Sequence, residues 1–198
     1  MRFISSVSIA ISALLIAASA RSAQFVVKGG SPNEVVFTSK AATESFQGKT
    51  SQMTGTITVD PAQVGDSVAV HIEVDLNTLN TGLTKRDQHM RENHLETKKY
   101  PKAIFDGVSV KTSGAALVAG TTTKLDVEGN FTLHGVTRRL RTTVEVLLKD
   151  EHTLTFKTNF LVPLADYKID RPKFLFLKLG EVQEVAVSGI ATAKPPAQ

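Results

Sequence analysis

Apolar and polar residues alternate along most of the chain with a period of two. Between Ser67 and Leu76, the residues Val68, Val70, Ile72, Val74 and Leu76 share one side, and Ser67, Ala69, His71, Glu73 and Asp75 share the other. Leu125–His134 repeats the pattern through Leu125, Val127, Phe131 and Leu133, with Gly129 in register. So do Leu140–Leu148, through Leu140, Val144, Val146 and Leu148, and Leu154–Leu164, through Leu154, Phe156, Phe160, Val162 and Leu164. Successive side chains of a strand point to opposite faces, so each segment predicts a strand with one dry face and one wet face, as in antiparallel sheets. Weaker alternation marks Phe25–Lys28, Glu34–Lys40, Met53–Asp60, Ala103–Lys111 and Val182–Ala193. Gly29-Gly30-Ser31-Pro32, Asp60-Pro61, Ser113-Gly114 and His134-Gly135 supply the turns between them. Many strands joined by short turns predict an all-β fold, a sandwich or an up-and-down barrel. The strand lengths favour the antiparallel barrel, which leaves no free edge. Phe174-Leu175-Phe176-Leu177-Lys178-Leu179 is apolar on both faces. It reads as a strand covered by a helix, or as an exposed dimer patch.

One stretch breaks the alternation. TKRDQHMREN, Thr84 to Asn93, is dense in charge and has no period of two. Thr84 and Asp87 fit the capping-box spacing, in which hydroxyl and carboxylate satisfy free N–H groups at a helix start. Asp87 and Arg91 are spaced for an i,i+4 ion pair, and Pro101 stops the helix short of the next strand. Thr84 to about Glu96 is therefore predicted as the one helix, in a long connection between strands. His89 and His94 lie five residues apart, about 140° around an α-helix axis, a poor arrangement for gripping one ion. His71, His134 and His152 fall on polar strand faces or in turns, where a solvated histidine is the ordinary reading. Gly48-Lys49-Thr50 resembles the end of a phosphate-binding loop, but Thr43 stands where the first glycine must be. No G-x-S-x-G elbow and no acid–base carboxylate couple stands out. The motifs predict neither an enzyme nor a metal site, and call for no cofactor.

Composition narrows the setting. Met1-Arg2-Phe3, an apolar run from Ile4 to Ala17 and Ala18-Ser19-Ala20 form a secretory leader, with cleavage expected after Ala20. Residues 21–193 then make one domain, and residues 194–198 a loose tail. No other apolar run is long enough to span a bilayer, so no stable membrane insertion is expected. The chain has no cysteine, which excludes disulfides, thiol chemistry and a lipid-modified cysteine. Of 23 Lys and Arg, Arg2 leaves with the leader, and the remainder against 19 Asp and Glu is too mild and too scattered for nucleic acid. The expected compartment is a periplasm or the medium.

Three blocks together resemble the YceI-like proteins. LNTLNTGLTKRDQHMRENHLETKKYPKAIF, Leu76 to Phe105, resembles their R-D-x-H segment with its later Y-P. VEGNFTLHGVTRRLRTTVEV, Val127 to Val146, resembles their G-x-L-T-x-x-G-V-T-R strand pair, and ADYKIDRP, Ala165 to Pro172, resembles a looser third block. The segment from Val35 to Pro61 is similar to their opening strands. The resemblance implies a lipocalin-like antiparallel barrel of about eight strands with one helix in a long connection. It also implies a secreted, non-enzymatic protein holding a polyisoprenoid or isoprenoid-quinone tail inside the barrel, and it extends to homodimers. Carried onto this chain, it makes Arg86, Asp87 and His89 the polar motif residues of the helix and Met90 and Leu95 its inward anchors. Val70, Ile72, Val74, Phe131, Phe156 and Phe160 would line the interior, with Arg171 at the mouth. Thr84, Asp87 and Pro101 would be structural. Arg86 and His89 admit two readings, contact with a ligand head group or a cluster that fixes the helix. The barrel itself admits two as well, since the apolar faces suit either a held tail or a core packed solid in a periplasmic stress or interaction protein. Leu95-Glu96 stands where the family often has two aromatics, pointing to a wider or different pocket.

Overall fold

A computed structural model of the chain describes residues 22–40, 45–65, 68–111, 116–171, 173–174 and 177–194. The expected leader and tail lie outside the described residues, apart from Lys194. The strands are β1 (Ala23–Val27), β2 (Glu34–Lys40), β3 (Ser45–Thr50), β4 (Met53–Val59), β5 (Ala69–Asp75), β6 (Lys102–Val110), β7 (Thr122–Leu133), β8 (Val136–Asp150), β9 (Thr153–Pro163), β10 (Lys173–Phe174), β11 (Leu177–Lys178) and β12 (Val182–Ala193). All the pairings are antiparallel. From β4 to β9 each strand pairs with the next in the chain, and β12 follows β9. β12 then closes the ring by pairing with β1, which pairs with β4. The result is an eight-position closed up-and-down barrel.

The first two positions of the ring are broken strands. β12 pairs with β1 through Ala191 to Ala193 and with β2 through Glu184 to Ser188. Gly29 to Asn33 interrupts the strand between them, and the buried Asn33 side chain bridges the gap. Its Nδ2 donates to Lys28 O at 2.6 Å, and its Oδ1 accepts from Ile190 N at 2.9 Å, giving the β12 backbone a partner where the strand is interrupted. β3 and β4 continue one another across Ser51-Gln52 on the next position. The β7–β8 turn is a tight two-residue hairpin. His134 (φ 51) and Gly135 (φ 72) take the left-handed conformations such a turn needs, closing on the pair Leu133–Val136.

Three expectations need correction. β3 is a strand that the alternation did not reveal. Phe174–Leu179 is not one strand: Lys173 pairs with Lys178 and Phe174 with Leu177, as two short antiparallel strands, and residues 175–176 lie outside the described residues. The helix is not terminated by Pro101. It comprises α1 (Thr84–His89) and a π-helical turn over Met90–His94, and Glu96 takes a left-handed φ of 45 just beyond it. Pro101 instead gives its carbonyl to Leu76 N, at 2.9 Å, where β6 begins.

The two ends of the barrel differ. One, the far end, holds the β4–β5, β6–β7 and β8–β9 connections. There Val64 and Leu117 turn inward from loops and pack with Phe25, Val27, Met53 and Leu154. The helix end holds the β5–β6 connection with α1, the β7–β8 hairpin and the β9–β12 connection. Its buried cluster includes Leu79, Phe131, Leu133, Leu164, Tyr167 and Ile169.

Candidate functional site

Between the two clusters the barrel is hollow. A cavity of about 1110 Å³ runs through it. Its wall is built by the inner faces of the strands: Val70, Ile72 and Val74 from β5, Phe105 from β6, Phe131 from β7, Phe156 and Phe160 from β9, and Val185 and Val187 from β12. Several of these, including Val70, Ile72, Phe105, Val185 and Val187, point inward yet remain only half-buried, because the side chains opposite do not reach them. A packed interior leaves few voids larger than a water molecule, so this is not a filled core. Val64 and Leu117 line the cavity where it ends at the far end.

Charged and imidazole lining gathers at the helix end, while Thr142 and Thr158 are polar positions farther along the wall. Thr84, Lys85, Arg86, His89 and His94 from the helical connection, with Ser39 and Gln183, border the cavity beside Met90 and Leu95. The helix is fixed by a network that differs from the expected capping box. Leu83 precedes the helix and no side chain caps it. Buried Asp87 reaches back instead to Thr81, accepting from Thr81 N at 2.8 Å and from Thr81 Oγ1 at 2.5 Å. Arg86 then donates from Nε to Thr81 Oγ1 at 2.8 Å and from NH2 to Thr81 O at 2.7 Å. The Arg86 guanidinium also lies over the Phe46 ring, 4.0 Å from its centroid, tying the helix to β3. Thr81, not Thr84, is the hydroxyl the helix start uses. No ion pair joins Asp87 to Arg91: Arg91 donates to the carbonyls of Leu79, at 3.2 Å, and Asn77, at 3.4 Å.

The π turn changes the histidine geometry. Leu95 N donates to Met90 O, five residues back, at 2.9 Å. Such bonding brings residues five apart onto one face, and the His89 and His94 rings stand edge to face with centroids 4.9 Å apart. The 140° separation expected of an α-helix does not hold here. His94 Nδ1 lies 3.2 Å from the Asp170 carbonyl, while its Nε2 is buried with no hydrogen-bond partner. Burial, and then the neighbouring His89, push the His94 imidazolium below the ordinary histidine range, against the pull of the Asp170 carbonyl. Among the described residues no group of three or more His, Asp or Glu could hold a metal ion.

His134 is not a solvated histidine either. Its side chain is 10% exposed, with Nε2 2.6 Å from Glu96 Oε2 and Nδ1 3.0 Å from the Tyr167 carbonyl. It therefore pins the β7–β8 hairpin to the helical connection on one side and to the β9–β12 connection on the other. Arg171 does not border the cavity. It donates from Nε to the Leu179 carbonyl and pairs with Glu181 at 3.3 Å.

The comparisons with known proteins agree with this architecture. Residues 22–189 match the YceI-like domain. The chain belongs to the YceI-like family. Protein YceI of Escherichia coli O6:H1 is 37% identical over 70 residues, 35% of this chain and 32% of that protein. The UPF0312 protein VPA0850 of Vibrio parahaemolyticus is 32% identical over 94 residues, 47% of this chain and 46% of that protein. The matched stretches thus span a third to a half of these YceI-like relatives. Among solved structures, a polyisoprenoid binding domain from Saccharophagus degradans shares the fold with a TM-score of 0.70 at 19% identity, over 88% of this chain and all of that one. BcnA of Burkholderia cenocepacia does so with a TM-score of 0.69 at 17% identity, covering 81% and 96%. The shared fold is the YceI-like barrel.

The residues singled out from sequence as ligand-binding thus border one space, Arg171 excepted, while Asp87 and Pro101, singled out as structural, do not border it. Sequence reasoning overlooked Phe46, Phe105, Val185, Val187 and His94 as lining residues. The alternation in Val182–Ala193 already carried Val185 and Val187 on one face. For His94 the signal was absent, since nothing in the sequence announces a π turn.

Proposed function

We propose that this YceI-like protein is a binding protein, not an enzyme, and that it holds one long apolar lipid of the polyisoprenoid or isoprenoid-quinone class inside the barrel. The observation that carries the reading is the unfilled interior of about 1110 Å³, with largely apolar walls and its charged groups collected at one end. An unbranched polar ligand would leave its hydrogen bonds unmet along such walls. A slim hydrocarbon tail has none to lose, and each Å² of it withdrawn from water contributes about 25 cal/mol. Val70, Ile72, Val74, Phe131, Phe156 and Phe160 would contact the tail, with Met90 and Leu95 as lids. Arg86 and His89 would face a polar head. The likeness to a polyisoprenoid binding domain supports the same ligand class. A cleaved leader over residues 1–20, as the sequence predicts, would have the protein work in the periplasm or outside the cell, carrying or sequestering the lipid, alone or as a homodimer.

Native mass spectrometry of protein purified without detergent, followed by organic extraction, tests the proposal. A stoichiometric isoprenoid adduct is expected, and replacing Val187 by Phe should weaken its retention by about tenfold, since the added ring occupies tail volume. A clean unliganded mass that stays unchanged after incubation with isoprenoid quinone would refute it.

A further inference from the structure

The barrel wall has a seam. β8 pairs with β7 from Val136 to Leu147, but with β9 only from Val144 to Asp150. Along the other edge of β9, Thr153 to Pro163 all pair with β12. Val136 to Thr143 of β8 and Asn159 to Pro163 of β9 therefore face one another without a backbone ladder. At the usual rise per residue the unpaired stretch of β9 is about 16 Å long. Closed barrels avoid such edges because unpaired backbone groups are costly to leave and prone to find other partners.

Side chains hold this seam in place of the ladder. Thr142 Oγ1 lies 2.7 Å from Thr158 Oγ1 and donates to the Asn159 carbonyl at 3.1 Å. Thr158 Oγ1 donates to the Thr143 carbonyl at 2.9 Å. Toward the helix end, Arg138 Nε donates across the gap to the Asp166 carbonyl at 3.1 Å. Between these two fastenings the wall is one side chain thick. Leu140, Thr142, Thr158 and Phe160 border the cavity on the inside and also line a depression on the outer surface. Leu161, on the outer face of β9 beside that depression, is 61% exposed.

We propose that the β8–β9 seam is a lateral port by which a chain-like apolar ligand enters and leaves the cavity, with Thr142 and Thr158 as its latch. This rests on the cavity holding such a ligand. A threaded tail passing end-on must cross the polar helix end, where the Thr81–Arg86–Asp87 network and the His134 contacts are fixed. At the seam the wall itself is Leu140, Phe160 and the two threonine hydroxyls, and the charged residues of the outer depression, among them Glu128, Arg141 and Lys157, stand at its outer surface. Those hydroxyls can exchange their partners for water, so opening breaks side-chain hydrogen bonds and no ladder bond. Leu161 gives the tail an apolar foothold outside.

The chain contains no cysteine, so a paired substitution forms an unambiguous cross-link. T142C/T158C places two sulfurs where the hydroxyls now touch. Loading with ubiquinone from phosphatidylcholine vesicles is followed over time by native mass spectrometry. The oxidised form is expected to load at least about tenfold more slowly than the same protein after reduction, because a covalent latch adds a barrier that thermal opening cannot cross. T142V/T158V, which keeps shape and removes the hydroxyls, is expected to load about fivefold faster than wild type. Equal rates for the oxidised and reduced forms, or a valine variant no faster than wild type, would overturn the port and direct the tail past the helix end. A wild-type protein that takes up no quinone at all would instead remove the ligand reading on which the port depends.

Discussion

The far end and the helix end of this barrel are made from the same alternating strands, yet they are different materials. At the far end, Phe25, Met53 and Val64 are 0% exposed, and loops contribute Val64 and Leu117 to finish the packing. At the helix end, hydrogen bonds through Asp87, Arg86, Thr81 and His134 join a buried cluster with Leu133, Tyr167 and Ile169, and the charged residues that border the cavity stand here. One end closes the cavity with a tight core, and the other borders it with polar contacts. The difference teaches that a hollow barrel need not be a weak one, provided that a tight core closes one end of the void.

The largest expected effect separates the two. Phe25→Ala should destabilise the protein by about 3–5 kcal/mol, because it opens a hole in a closed core. Ile72→Ala, on the cavity wall, should cost only about 1 kcal/mol, since part of its surface already faces a void. Urea denaturation of both variants measures the gap; similar losses would mean that the cavity wall is packed as tightly as the far end. Next comes the polar border. Asp87→Ala removes the acceptor for two Thr81 donors and should cost about 1–3 kcal/mol, while Thr84→Ala should stay within about 0.5 kcal/mol, as Thr84 makes no cap. Thermal melts of the pair decide whether Thr81 or Thr84 serves the helix start.

The smallest expected effect is in pH. His94 has its proton affinity lowered in the folded protein, mainly by burial. As the pH falls through the ordinary histidine value of 6.5, the unfolded chain takes up the proton first. Stability from this group is therefore complete above that value and declines below it, toward the lower folded one. Denaturation midpoints between about pH 7.5 and 5.5 should fall in the wild type and fall less in His94→Gln. An unchanged slope would show that His94 does not sense the acid.

Much of this fold could be read directly. Alternation located β5, β7, β8, β9 and β12, and a charge-dense break placed the helix. β3 escaped because its inward positions are Phe46, Gly48 and Thr50, so the apolar face carries a glycine and a hydroxyl. A Cβ at Gly48 would stand 2.2 Å from the Phe37 ring, so any larger residue there displaces that ring. The π turn escaped for another reason. A spacing of five between histidines means opposite things in two kinds of helix, and the sequence carries no mark of which one forms. Hollowness was legible only through the family resemblance, not from the alternation. Val70, Ile72 and Val74 would have the same pattern in a solid barrel, and only the distance to the opposite wall distinguishes the two.

That empty interior has a mechanical consequence. Pressure favours whichever state occupies less volume, and unfolding eliminates voids. A cavity lined almost entirely by hydrocarbon tends to stay dry, so the unoccupied barrel carries its void as excess volume. The empty protein is therefore the compressible form, and one filled by a tail is the stiff one. Compression would separate the two populations of a single preparation without any label.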